Sequence, residues 1–187
     1  MTSIPTLLTY LRIILIPFFV LAFYLPFDWA NVVATIVFGL AAITDWLDGY
    51  LARKWNQMSR FGAFLDPVAD KLIVAAALVV LVQAYPTIWM AIAAVVIIGR
   101  EITISALREW MAEIGQRANV AVSNLGKYKT AAQLTALFML IYEEPLFGLP
   151  IMEMGVAFLY IAVVLTLWSM VVYLKAAWPI LKAEEKK

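Results

Sequence analysis

Asp45-Trp46-Leu47-Asp48-Gly49-Tyr50-Leu51-Ala52-Arg53, then eight residues, then Gly62-Ala63-Phe64-Leu65-Asp66-Pro67-Val68-Ala69-Asp70: this stretch joins two long apolar runs. The runs, Asn31–Leu51 and Phe64–Ala84, each approach the roughly 20 residues a helix needs to cross a bilayer. Asp45 and Asp48 lie i, i+3 at the end of the first run, and Asp66 and Asp70 lie i, i+4 at the start of the second. Each pair therefore shares one face of its helix. Gly49 and Ala52 fall on the arc of the first pair and Gly62 on the stripe of the second. Small residues there let helices, or a ligand, approach the backbone. The short connection predicts that the two helices meet as an antiparallel pair, with four carboxylates converging at the edge of the bilayer.

The rest of the chain extends this pattern. Of 187 residues, 65% are hydrophobic and 14% charged, with a mean hydropathy of +0.90. A soluble domain is about half apolar and about a quarter charged, so a single water-facing core cannot absorb this excess. Further apolar runs lie at Leu7–Leu25, Ile88–Leu107, Thr130–Tyr142 and Met152–Leu174. Pro26 with Asp28, Tyr85-Pro86-Thr87 and the Glu143–Pro150 segment mark the turns between them. The expected fold is an all-α integral membrane protein, a bundle of six transmembrane helices forming one domain over residues 1–187. The first run exceeds signal-peptide length and lacks a small-residue cleavage pattern, so it reads as a retained helix.

Charge orients the bundle. Arg53, Lys54 and Arg60 follow the second run; Arg108, Arg117, Lys127 and Lys129 lie between the fourth and fifth; Lys175, Lys182, Lys186 and Lys187 follow the sixth. The alternate connections carry Asp28, Glu143 and Glu144, with Glu153 nearby, and neither Lys nor Arg. By the positive-inside rule both termini are cytoplasmic. The net charge is only +1, and no nucleic-acid partner is expected.

The chain contains neither Cys nor His. That removes thiolate chemistry, a Ser-His-Asp arrangement and imidazole ligands, and leaves acid–base work to carboxylates, Lys or Tyr. Four clustered carboxylates repel one another strongly at low dielectric unless positive charge sits among them. An all-oxygen donor set points to Mg²⁺ or Mn²⁺ and away from zinc. Four carboxylates suffice for two such ions, an arrangement suited to phosphoryl chemistry. Taken singly, each Asp reads as an interfacial acid paired with Arg53, Lys54 or Lys71. The joint spacing, and the cost of acids near hydrocarbon, favour a site.

The string D-x2-D-G-x2-A-R-x8-G-x3-D-x3-D resembles the signature of the CDP-alcohol phosphatidyltransferases at all eight fixed positions. The resemblance extends to Ile4-Pro5-Thr6 through Thr9 and Arg12, to Arg100-Glu101-Ile102 with Ser105 through Glu109, and to Gly126–Thr130. It departs at Thr6, where many members have Asn, and weakens over Glu143–Glu153. The resemblance implies that Asp45, Asp48, Asp66 and Asp70 hold two divalent ions and that Asp70 is the general base. Gly49, Arg53 and Ser59 would contact the CDP moiety of CDP-diacylglycerol, with Thr9 and Arg12 also lining that donor site. A guanidinium suits a pyrophosphate, and Gly lets phosphate oxygens near the backbone. The wider similarity is to bacterial members acting on glycerol 3-phosphate, implying a homodimer in the inner membrane with its active site on the cytoplasmic side. A cardiolipin-, phosphatidylserine- or inositol-phosphate-type acceptor shares the same signature.

Without His or Cys, direct displacement is expected rather than a covalent intermediate. Arg100, Arg108, Lys127 and Lys129 lie at or near the cytoplasmic ends of the fourth and fifth runs, and a subset of them is expected to bind the acceptor's phosphate. Arg100 stands in an apolar run beside Glu101, so pairing with that acid is the competing reading. Lys127 and Lys129 equally suit topology markers or contacts to anionic membrane lipids. Arg12, viewed alone, reads as a snorkelling side chain. Trp29, Trp89, Trp110, Trp168, Tyr173 and Trp178 read as interfacial belts. A transporter would carry its charges at mid-membrane on broken helices, whereas these charges gather at one face.

Overall fold

The computed structural model describes residues 4–55, 60–115 and 124–184. Six helices follow in order: α1 Ile4–Phe23, α2 Ala30–Trp55, α3 Arg60–Ala84, α4 Ile88–Glu113, α5 Asn124–Tyr142 and α6 Ile151–Glu184. Their ends have local causes. Thr87 caps α4, its side chain accepting from Met90 N at 3.2 Å, which satisfies one of the free amides of the first turn. Gly115, at φ 73°, turns the chain out of α4, and Glu143, at φ 66°, does the same after α5. The connection between α5 and α6 closes on an isolated bridge between Leu146 and Leu149.

The spacing within each run predicts the helices, but several reach beyond the apolar stretch. α2 continues to Trp55, α4 to Glu113 and α6 to Glu184. Backbone hydrogen bonding carries a helix on into charged sequence. Among the described residues four helices, Ile4–Phe23, Ala30–Trp55, Ile88–Glu113 and Ile151–Ile180, are long and apolar enough to cross a membrane.

Phe19, Phe38, Leu78, Leu81, Ile97, Leu137, Leu140 and Ile141 form the centre of a continuous core. Phe38 meets the edge of Phe138 with ring centres 5.0 Å apart. Gly155 lets α6 close on α5: a Cβ there would lie 3.0 Å from both Leu140 Cγ and Met139 Cβ. The exterior is apolar as well, with Ile36, Ile43, Val79, Val95, Val164 and Trp168 all exposed. Such a surface is stable against lipid tails rather than water.

One relationship differs from expectation. α2 and α3 do not form a close pair; α1 packs along both of them, and they touch each other only sparingly. The reason is electrostatic. Two acid-bearing helix faces cannot pack directly, and α1 brings a cation between them.

The buried polar residues (Thr6, Thr9, Arg12, Thr44, Asp48, Lys129, Gln133, Thr166 and Ser169) lie on the early turns of α1 and α5, the later turns of α2 and the middle of the long α6. Short connections make consecutive helices antiparallel, so these positions gather towards one end of the bundle. At the other end Asn31 Nδ2 donates to Glu143 Oε2 at 3.0 Å, and Tyr24 donates to Gln83. Burial and the neighbouring Glu143 carboxylate hold the Tyr85 phenol well above its ordinary pKa.

Candidate active site

Arg12 organises the aspartates. Its Nη1 stands 3.1 Å from Asp45 Oδ1 and 3.9 Å from Asp66 Oδ1 and donates to Asp70 Oδ1, while Nη2 donates to Asp48 Oδ2. Thr9, one turn earlier, donates to Asp66 Oδ1 at 2.9 Å. The four carboxylates predicted to converge therefore do so, around a side chain from a third helix. The snorkelling reading of Arg12 is overturned: the side chain is 1% exposed and does not reach for the interface, because four anions attract it more strongly than headgroup water. The pairing of the acids with Arg53, Lys54 or Lys71 also gives way to Arg12.

One guanidinium against four carboxylates leaves a formal charge of −3. Asp48 Oδ1 is buried with no hydrogen-bond partner among the described residues. An excess of hard oxygen donors, one of them unpaired, fits divalent cations by charge and chemistry. Among the described residues no three acids surround a common point as a ligand set; their oxygens turn towards Arg12.

Beside this cluster lies a cavity of about 270 Å³ walled by α3, α4, α5 and α6. Its lining includes Lys71, Arg100, Arg108 and Lys129 against the acids Asp70 and Glu101. Arg100 Nη1 donates to Glu101 Oε1 at 3.1 Å and Nη2 to Ser169 Oγ at 3.2 Å. The ring centre of Tyr173 lies 5.5 Å from the Arg100 guanidinium, within reach of cation–π attraction. Lys129 donates to Glu101, Lys71 to Ser105, and Ser105 to the Glu101 carbonyl at 2.6 Å. Glu101 thus holds Arg100 and Lys129 by a single carboxylate oxygen, and the wall remains net positive. A second cavity, of about 120 Å³, is lined by Arg12, Asp45, Ala41 and again Asp70. Asp70 is the acid common to both.

The structure therefore brings Arg100, Arg108 and Lys129 together in one cavity, with Arg100 also paired to Glu101 as the competing reading had it. Lys127 belongs to α5, but its side chain, like Ser59, lies outside the described residues. The Arg53 guanidinium folds back over Gly49, where a Cβ would lie 3.9 Å from both Nη atoms. Sequence reasoning did not assign Ser105, Gln133 or Ser169 to a site, and it read Tyr173 as an interfacial belt. Tyr173 lines the cavity instead. Gln133 carried a usable signal, being a polar residue one turn beyond Lys129, where α5 turns mostly apolar.

The chain belongs to the CDP-alcohol phosphatidyltransferase family, whose sequence model matches residues 2–168, and it is an enzyme of that transferase class. It is 60% identical over 176 residues to the CDP-diacylglycerol–glycerol-3-phosphate 3-phosphatidyltransferase of Pectobacterium atrosepticum. It is 57% identical over 175 residues to the protein of that name from Salmonella typhimurium and 55% identical over 175 residues to that from Shigella flexneri. In each case 94% of both chains is covered.

Proposed function

We propose that this enzyme transfers the phosphatidyl group of CDP-diacylglycerol to glycerol 3-phosphate, giving phosphatidylglycerophosphate and CMP. The names of relatives up to 60% identical support this reading. The observation that carries it is that Asp70 lines both cavities. A base between donor and acceptor sites is what direct displacement requires.

A subset of Arg100, Arg108, Lys127 and Lys129 takes the acceptor's phosphate, and three of these, Arg100, Arg108 and Lys129, line the cationic cavity. That leaves the free primary hydroxyl directed at Asp70. Asp70 accepts the hydroxyl proton as the oxygen attacks the β-phosphorus of the donor. The new O–P bond forms as the bond to the CMP oxygen breaks, and the electron pair leaves with CMP. Gly49, Arg53, Ser59, Thr9 and Arg12 line the donor's CDP site. Asp45, Asp48, Asp66 and Asp70 are the residues to hold two Mg²⁺ or Mn²⁺ ions, which when bound neutralise phosphate oxygens during such a displacement.

The six helices span the bacterial inner membrane with both termini and the site on the cytoplasmic side, as the positive-inside rule favours. Residues 1–187 act as one domain, and the enzyme works as a homodimer among membrane lipids. Purified protein in micelles with CDP-diacylglycerol should release CMP with glycerol 3-phosphate, and not with serine, inositol phosphate or phosphatidylglycerol. Equal rates with one of these would reassign the acceptor. Undiminished turnover after exhaustive chelation would remove the ions from the scheme.

A further inference from the structure

We propose that Gln133 determines acceptor specificity by hydrogen-bonding the secondary hydroxyl of a glycerol phosphate through its carboxamide, an inference that rests on the acceptor site described above. Gln133 lies one turn beyond Lys129 on α5 and lines the cavity that also holds Asp70 and Arg100. It is 5% exposed, and its Oε1 is buried with no hydrogen-bond partner among the described residues.

Lys129 is bonded to Glu101, the two Nη atoms of Arg100 to Glu101 and Ser169, and Lys71 to Ser105, while Arg100 Nε is likewise buried with no partner among the described residues. A buried carboxamide oxygen left without a donor is costly and demands an explanation. Here the explanation is in the cavity's chemistry. Its cations take a phosphate, and its one shared acid takes a hydroxyl proton. A carboxamide both accepts and donates, and neither function is used within the described residues, so it selects a ligand with a second hydroxyl, which can do both. A three-carbon diol phosphate supplies all of these groups: the phosphate, the primary hydroxyl that reacts, and a hydroxyl between them. An acceptor without that middle hydroxyl leaves the carboxamide unmatched, and sites of this kind reject such analogues.

The test compares glycerol 3-phosphate with 3-hydroxypropyl phosphate, which lacks only the middle hydroxyl. Wild type should prefer glycerol 3-phosphate in kcat/KM by about 100-fold, the upper part of what one unsatisfied buried polar group produces. In Gln133→Leu and Gln133→Met that preference should collapse to within a few-fold, through loss on glycerol 3-phosphate alone. The KM for CDP-diacylglycerol should stay unchanged. A wild-type enzyme that does not discriminate overturns the inference without recourse to any variant, as does an equal loss on both acceptors in either variant. A wild type that turns over CDP-diacylglycerol with neither acceptor overturns the acceptor assignment itself, and this inference with it.

Discussion

Arg12 of α1 and Asp48 of α2 form an ion pair whose side chains are only 1% and 2% exposed. Both charges have given up their water, and the same guanidinium contacts Asp45, Asp66 and Asp70. Breaking a buried pair by removing one partner costs about 3–5 kcal/mol, because it strands the other charge.

Arg12→Gln should therefore lower the thermal midpoint of the chelator-treated enzyme markedly. Added Mg²⁺ or Mn²⁺ should recover a larger share of stability in the variant than in wild type, since divalent charge replaces what was lost. Unfolding scans in detergent with and without the ion read this directly. Equal ion-induced shifts in the two proteins would show that Arg12 and the cations do not serve the same carboxylates.

Asp70→Asn should retain the wild-type midpoint and elution volume while turnover falls by about 10²–10⁴, the usual contribution of a general base. Asp70 bonds to Arg12 from one side only and is half-exposed, so an amide can replace it without collapsing the helix. Near-normal CMP release from the variant would reassign the base.

Lys129→Met removes a buried cation from the acceptor cavity and leaves Glu101 to Arg100 alone. The expected outcome is a rise of about tenfold or more in the KM for glycerol 3-phosphate, as for loss of a charge-assisted hydrogen bond. The KM for CDP-diacylglycerol should hold. A change confined to the lipid substrate would contradict the assignment.

Gly155→Val tests the α5–α6 contact, since a Cβ already meets Leu140 and Met139 at 3.0 Å. Overpacking of this kind costs about 1–3 kcal/mol. The midpoint should drop while KM values at permissive temperature remain as in wild type. An unshifted midpoint would mean that α6 can slide to make room.

Much of this architecture is legible in the amino-acid order. Apolar runs near twenty residues mark five of the six helices and a shorter one, Thr130–Tyr142, marks the fifth, while Asp45, Asp48, Asp66 and Asp70 announce themselves by helical spacing and small neighbours. Helix ends are less legible, because hydropathy reports where lipid stops, not where backbone hydrogen bonding stops: α4 runs past Leu107 to Glu113. The position of Arg12 is a tertiary fact, since nothing local in α1 says that it will lie between α2 and α3. Tyr173 misled for a related reason. An aromatic near a helix end suits both an interfacial belt and a wall of a polar cavity, and only its proximity to Arg100 distinguishes them.

Because α1 precedes α2 and α3 in the chain, the guanidinium is synthesised before any of the acids it gathers. Each aspartate thus emerges into a chain that already carries its counterion. Moving the first helix behind the third would reverse that order and leave four like charges waiting for their cation, even though every final contact could still form.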